Sequence, residues 1–242
     1  MTDRFTPAPE AVRAYPAEQA GFDEGLRSYM LGIYRNMSIS LAISGAVALG
    51  IASSPAITQL VFGTPLKWVA MFAPLAFVFF FTFRFERMST SSARMALWSF
   101  AAVMGVSMAS IFMVFTTASI VSTFFIASAM FLSVSLWGYT TKTDISRWSS
   151  FLFMGLIGVF IASLVNMFMQ SGTLQLVVSL AGVIVFTGLT AWDTQRAKSD
   201  YLHYSGAMVA EKMAIMSAFS LYLNFVNLFQ MLLSLVGVRQ DE

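Results

Sequence analysis

The sequence has no cysteine and a single histidine, His203. Disulfides, cysteine-ligated metals, a thiol nucleophile and a histidine metal cluster are excluded together. Charge is scarce as well. Only 11% of the 242 residues are Asp, Glu, Lys or Arg, against about 25% in a soluble domain. A soluble protein of this length needs a polar surface, so the shortage points to a surface that faces lipid. Phosphate-cradling glycine loops and nucleophile elbows are missing. No set of acid, base and nucleophile can be assembled, so neither an enzyme nor a bound cofactor is expected. The net charge of +2 comes from basic residues spread over loops, which gives no patch for nucleic acid.

What is present is apolar: 57% hydrophobic residues, with 24 Phe and 17 Met. Continuous apolar runs cover residues 31–52, 68–83, 95–115, 118–139, 150–169, 173–197 and 213–236. Each is close to the roughly 17–25 residues that cross a ~30 Å hydrocarbon core as a helix. They lack the alternation of a barrel strand. The fold class expected is therefore all-α, a polytopic membrane bundle of seven transmembrane helices spanning residues 30–238. Residues 1–29 carry Pro7, Pro9, Pro16 and five acids, and are expected to form a polar, flexible N-terminal tail. They lack the pattern of a secretory signal, so the first apolar run is expected to stay as a span. Residues 239–242 are expected to be a short C-terminal tail, and 55–66 to lie at the membrane interface. Gly155 and Gly158 are expected to let the fifth helix approach a neighbour closely.

Lys and Arg set the expected orientation. Of the 14 basic residues, only Lys67 and Arg239 fall on one side; the others, from Arg4 to Lys212, fall on the opposite side. This asymmetry puts the N-terminus in the cytoplasm and the C-terminus outside. Arg35, about a turn inside the first span, has to snorkel or meet an acid.

Asp193 is the one acidic residue placed inside a span. A carboxylate at that depth costs roughly 2.5–3.5 kcal/mol on insertion scales, so it faces the bundle interior or water. It reads either as a titratable gate or as an interfacial acid held by an arginine. Ser217, Ser220, Asn224, Asn227, Gln230 and Ser234 are spaced three or four apart, forming one face of the last helix. That polar face either lines a path or glues helices together by hydrogen bonds. Asn166, with Ser163 and Gln170, makes a shorter stripe on the fifth helix. Arg84 at the end of the second helix is the first candidate partner of Asp193, followed by Arg87, Arg35 and Arg196; all four also serve as topology-setting charge.

At TGLTAWDTQRAK (187–198) and AFSLYLNFVNLF (218–229) the chain resembles the Bax inhibitor-1 family, also called the transmembrane BAX inhibitor motif family, in its bacterial YccA-like branch. GYTTKTD (138–144) and MGLIGVFIASLVN (154–166) carry the same resemblance. It implies a bacterial inner-membrane protein whose central last helix is wrapped by the other six. It also implies a pH-sensitive calcium leak channel, or a regulator of cell death or membrane-protein quality control. In that picture two aspartates on the last two helices share a proton and latch to an arginine of the second helix. Asp193 matches the first aspartate, and both Arg84 and Arg87 fit the arginine.

The chain departs from the family pattern at the second aspartate, where SLYLDF is SLYLNF and Asn224 stands. An amide removes the like-charge coupling of a carboxylate pair. It can still donate to an ionised Asp193 or accept from a protonated one. One carboxylate fewer weakens any calcium site at Asp193, since calcium prefers several oxygens and more than one carboxylate. Two functions follow as expectations: a cation leak gated by Asp193, or a non-channel regulator that binds a membrane protease or another membrane protein through residues 1–29.

Overall fold

The structure is a computed structural model that describes residues 11–203 and 207–240. Among these the chain is helical almost throughout. The elements are α1 (Ala11–Ala52), α2 (Pro55–Phe62), α3 (Leu66–Arg84), α4 (Thr90–Met108), α5 (Ile111–Val114), α6 (Thr117–Thr140), α7 (Ser149–Met169), α8 (Gly172–His203) and α9 (Ala207–Val236). Seven helical stretches are long and apolar enough to cross a membrane: Glu24–Ala52, Leu66–Arg87, Thr90–Val114, Thr117–Thr140, Ile145–Met169, Gly172–His203 and Val209–Val236.

Local signals mark the ends of these helices. Ser89 and Thr116 cap α4 and α6 by accepting from the backbone N–H three residues on. Pro55 opens α2 where its missing N–H costs nothing. Gln170 closes α7 in the left-handed region at φ 50°, and Asn166 Oδ1 accepts from Ser171 N–H at 3.0 Å across that turn. α2 buries no residue.

α9 is the core. Its buried residues include Ile215, Ala218, Leu221, Tyr222, Val226, Leu228 and Leu233, spread over most of its circumference. Four helices pack directly on it, namely α1, α4, α6 and α8. The other two spans are more peripheral. α7 packs on α8, and α3 packs on α4 and reaches α9 through Phe81, whose ring lies 4.4 Å from that of Phe219. The last helix is central, as the resemblance implied, and α1, α4, α6 and α8 make its main contacts. Two glycines set the tightest crossings. A Cβ at Gly105 would sit 2.6 Å from Ser44 O, and one at Gly138 would sit 2.5 Å from Ala191 O. α4 on α1 and α6 on α8 thus meet backbone to backbone, as small residues permit in membranes.

Two expectations are corrected. A Cβ at Gly158 would meet nothing within 4 Å, so of the α7 pair only Gly155, facing Val185, makes a close approach. The boundary at residue 29 marks no break, because α1 is continuous from Ala11 and Leu26 and Tyr29 are buried in the core; the part of the expected tail over residues 1–10 lies outside the described residues. Arg239 and Gln240, in the expected short C-terminal tail, lie against the junction of α5 and α6. Thr116 N–H donates to Val238 O at 3.0 Å and Gln240 N–H to Val114 O at 3.0 Å, and Gln240 Nε2 donates to Phe112 O. The otherwise unpaired carbonyls at the end of α5 provide the reason for this docking.

Candidate functional site

α8 places Asp193 on the side of the helix that meets α9. Val178, Ser179, Gly182, Val185, Phe186, Leu189, Thr190, Thr194 and Ala197 recur at helical spacing and are buried. This stripe fixes the rotation of α8 against α9, and Asp193 lies at its edge, half-buried. Opposite it, Asn224 is 6% exposed. Asn224 Nδ2 donates to Asp193 Oδ2 at 2.7 Å. The two residues singled out in the last two spans are therefore brought into direct contact, by a charge-assisted bond when Asp193 is ionised. On protonation an amide flip can offer the oxygen instead.

Among the described residues no arginine forms an ion pair with Asp193. Arg84, Arg87 and Arg35 are exposed. Among the described residues the ion pairs are Arg94 with Glu211 and Arg196 with Asp200, and neither involves Asp193. Arg196 also lies over the Trp192 ring, 5.3 Å from its centroid. Long side chains at the membrane rim gain more from headgroups and water than from reaching into the bundle.

A second hydrogen-bonded line runs beside this pair. Tyr34 of α1 meets Ser135 of α6 at 2.6 Å, and Ser135 meets Thr194 of α8 at 3.0 Å. Thr194 is adjacent to Asp193 in sequence, and its hydroxyl donates to Thr190 O at 2.8 Å. Two residues from Asn224, Tyr222 bonds Ser44 of α1 at 2.6 Å. Gln195 accepts from Ile145 N–H and donates to Thr143 O, both at 2.8 Å, tying the loop after α6 to α8. Lys198 donates to Tyr139 O at 3.0 Å. Tyr34, Ser44, Ser135, Thr194, Gln195 and Tyr222 were not singled out from sequence. Ser44 continues a four-residue repeat with Asn36 and Ser40, and Thr194 one with Thr190, a periodic signal that sequence reasoning passed over; which helices these hydroxyls bridge leaves no such signal.

The polar face of α9 is only partly covered. Ser217, Ser220, Asn227, Gln230 and Ser234 are only half-buried, whereas Ala218, Phe219, Leu221, Val226, Leu228, Phe229 and Leu233 beside them are buried. The apolar positions make the helix contacts, and the polar ones face a less-covered side. Asn227 Nδ2 turns back to Leu223 O at 2.8 Å. Ser220 and Gln230 make no hydrogen bond within the described residues. Asn166 does not join a path; it donates to Gln175 Oε1 at 2.8 Å. Gln175 Nε2 in turn donates to Ser234 at 2.8 Å and Ser179 at 3.2 Å. This cluster knits α7, α8 and α9 near the start of α8 and the end of α9, the opposite end of the helix pair from Asp193. Gln175 and Ser179, one turn apart, carried a signal that sequence reasoning passed over.

For a divalent ion the donor set is thin. Among the described residues no three His, Asp or Glu side chains gather anywhere. Asp193 offers one carboxylate, bonded by the Asn224 amide, and a lone carboxylate falls short of the several oxygens of a stable calcium cage.

Comparison with known proteins gives a consistent picture. The profile of the family described as "Inhibitor of apoptosis-promoting Bax1" matches residues 26–241. The protein RP147 of Rickettsia prowazekii (strain Madrid E) is 44% identical over 220 residues, covering 91% of this chain and 93% of that protein. A Caulobacter vibrioides protein is 38% identical over 242 residues, covering 95% and 97%. Inner membrane protein YbhL of Escherichia coli (strain K12) is 39% identical over 219 residues, covering 89% and 94%.

Proposed function

Because this chain belongs to the Bax inhibitor-1 family, as an integral membrane protein that would sit in a lipid bilayer, we propose that it is a pH-responsive cation leak whose gate is Asp193 held by Asn224. The observation that carries this reading is the 2.7 Å bond from Asn224 to Asp193 between α8 and α9. The half-buried polar face of α9 supports it, since polar side chains in a span need a polar space to face. When Asp193 is ionised, the amide bond holds α8 to α9. Protonation weakens that charge-assisted bond and lets the helices separate along the polar face. Calcium is the cation the family resemblance suggests. The site of action is a bacterial inner membrane, with the N-terminus cytoplasmic as the basic residues suggest.

Asn224 variants in proteoliposomes test this. Asn224→Leu removes the amide and is expected to raise calcium flux at neutral pH. Asn224→Asp places a second carboxylate at the gate and is expected to shift the pH response. Unchanged flux in both variants at all pH values contradicts the reading.

A second reading rests on α1, whose 42 residues run about 63 Å, roughly twice the depth of a hydrocarbon core. A helix that leaves the membrane can dock a membrane protease or other membrane partner. Removing residues 1–23 is then expected to abolish co-purification with that partner while calcium flux persists. Retained co-purification speaks against it.

A further inference from the structure

α1 and α6 both pack on α9 but meet each other sparsely, through the 2.6 Å bond between Tyr34 and Ser135. Between them runs a groove of about 880 Å³, floored by Phe225, Val226 and Phe229 of α9. A second hollow of about 390 Å³ shares Tyr34 and Leu132 with it and ends at Arg27 and Tyr139. On α1 the lining extends from Arg27 to Leu49. At 1.5 Å per residue this is roughly 33 Å, the depth of a hydrocarbon core of about 30 Å.

We propose that this groove is a binding site for an anionic phospholipid, with an acyl chain along α1 and α6 and the phosphate on Arg27. Three observations converge. The slot runs the depth of the membrane, so acyl chains are the medium at its mouth. Its walls are apolar, and the hydroxyls near its Arg27 end are already engaged, Tyr34 with Ser135 at 2.6 Å and Ser135 with Thr194 at 3.0 Å; a dry, apolar lining suits methylenes and not water. Arg27 stands exposed at one end and makes no ion pair among the described residues, although Glu24 lies one turn away on the same helix. It belongs to the side rich in basic residues, where a basic pocket between spans attracts anionic headgroups. A seated lipid would press on Ser44, which bonds Tyr222, and on Ser135, which bonds Thr194. It would therefore touch both lines of hydroxyls that flank Asp193 and Asn224.

Native mass spectrometry of the full chain tests this, after reconstitution in an equal mixture of phosphatidylglycerol and phosphatidylcholine with identical acyl chains. The wild type is expected to keep phosphatidylglycerol in preference to phosphatidylcholine. Arg27→Gln is expected to cut that preference about fivefold while still retaining lipid. Gly45 lines the groove, and a Cβ there meets nothing within 4 Å; Gly45→Leu therefore enters the slot from open space and is expected to lose both lipids at an unchanged unfolding temperature. Equal retention of the two lipids by the wild type overturns the proposal. So does undiminished lipid on Gly45→Leu, or a two-chain wild-type mass that Gly45→Leu abolishes, which would make the occupant a second copy. None of these readouts depends on ion flux.

Discussion

Asn224 donates to Asp193 across 2.7 Å, and this single bond joins the last two spans where the polar face of α9 passes α8. An amide in this position does what a second carboxylate cannot. It satisfies an ionised Asp193 without repelling it, so the pair can close without an arginine.

Replacing Asn224 therefore has a signed cost. Asn224→Leu leaves the Asp193 carboxylate without its partner and is expected to destabilise the folded protein by about 1–3 kcal/mol at neutral pH. Asn224→Asp is expected to cost on the order of 1 kcal/mol at neutral pH, where two facing carboxylates repel, and less as the pH falls and one takes up a proton. Thermal unfolding in detergent at neutral and mildly acidic pH reads both effects. An Asn224→Asp penalty that grows on acidification contradicts this account.

The exposed arginines give the opposite expectation. Arg84→Gln and Arg87→Gln remove charges that contact no acid among the described residues. Each is expected to change stability by less than about 0.5 kcal/mol. A loss comparable to that of Asn224→Leu, in the same unfolding assay, would restore the arginine latch.

The crossing at Gly138 is a stricter test of the packing. Any Cβ there meets Ala191 O at 2.5 Å, two residues from Asp193. Gly138→Ala is expected to push α6 off α8 and cost about 1–3 kcal/mol, even though alanine favours helix. Gly158→Ala, with open space around it, is expected to be neutral or slightly stabilising. Equal behaviour of the two variants would show that α6 and α8 are further apart.

The absence of native cysteine makes the polar face of α9 directly readable. Gln230→Cys and Ser220→Cys are expected to react with a membrane-impermeant, water-soluble thiol reagent in proteoliposomes. Leu228→Cys, buried at 1% exposure, and Phe125→Cys, 67% exposed on the outside of α6, are expected to resist it, one behind packing and the other behind lipid. Labelling at Phe125 but not at Gln230 would turn the polar face into helix glue.

Hydrophobic run length carried most of the fold: seven spans follow from it because lipid forces each run into a helix. Asp193 was legible because a carboxylate in a span is costly, and Asn224 because it interrupts a motif. Which helices make the main contacts on α9 was not legible, since whether α3 and α7 pack chiefly on α9 or on its neighbours depends on side-chain fit and not on hydropathy. Nor was the role of Asn166. Its helical position resembles that of a path-lining residue, and only the turn at Gln170 brings Gln175 back to meet it. The half-burial of the α9 polar face also escaped prediction, because spacing reveals that residues share a face but not what covers it.

The most direct measurement is calcium flux into proteoliposomes from mildly acidic to neutral pH for the wild type and Asp193→Asn. Asparagine keeps the size of the side chain and its ability to bond Asn224, and removes only the titrating proton. The wild-type flux is expected to rise on acidification, while the Asp193→Asn flux is expected to be independent of pH. Equal flux in the two proteins at every pH would contradict a gate at Asp193.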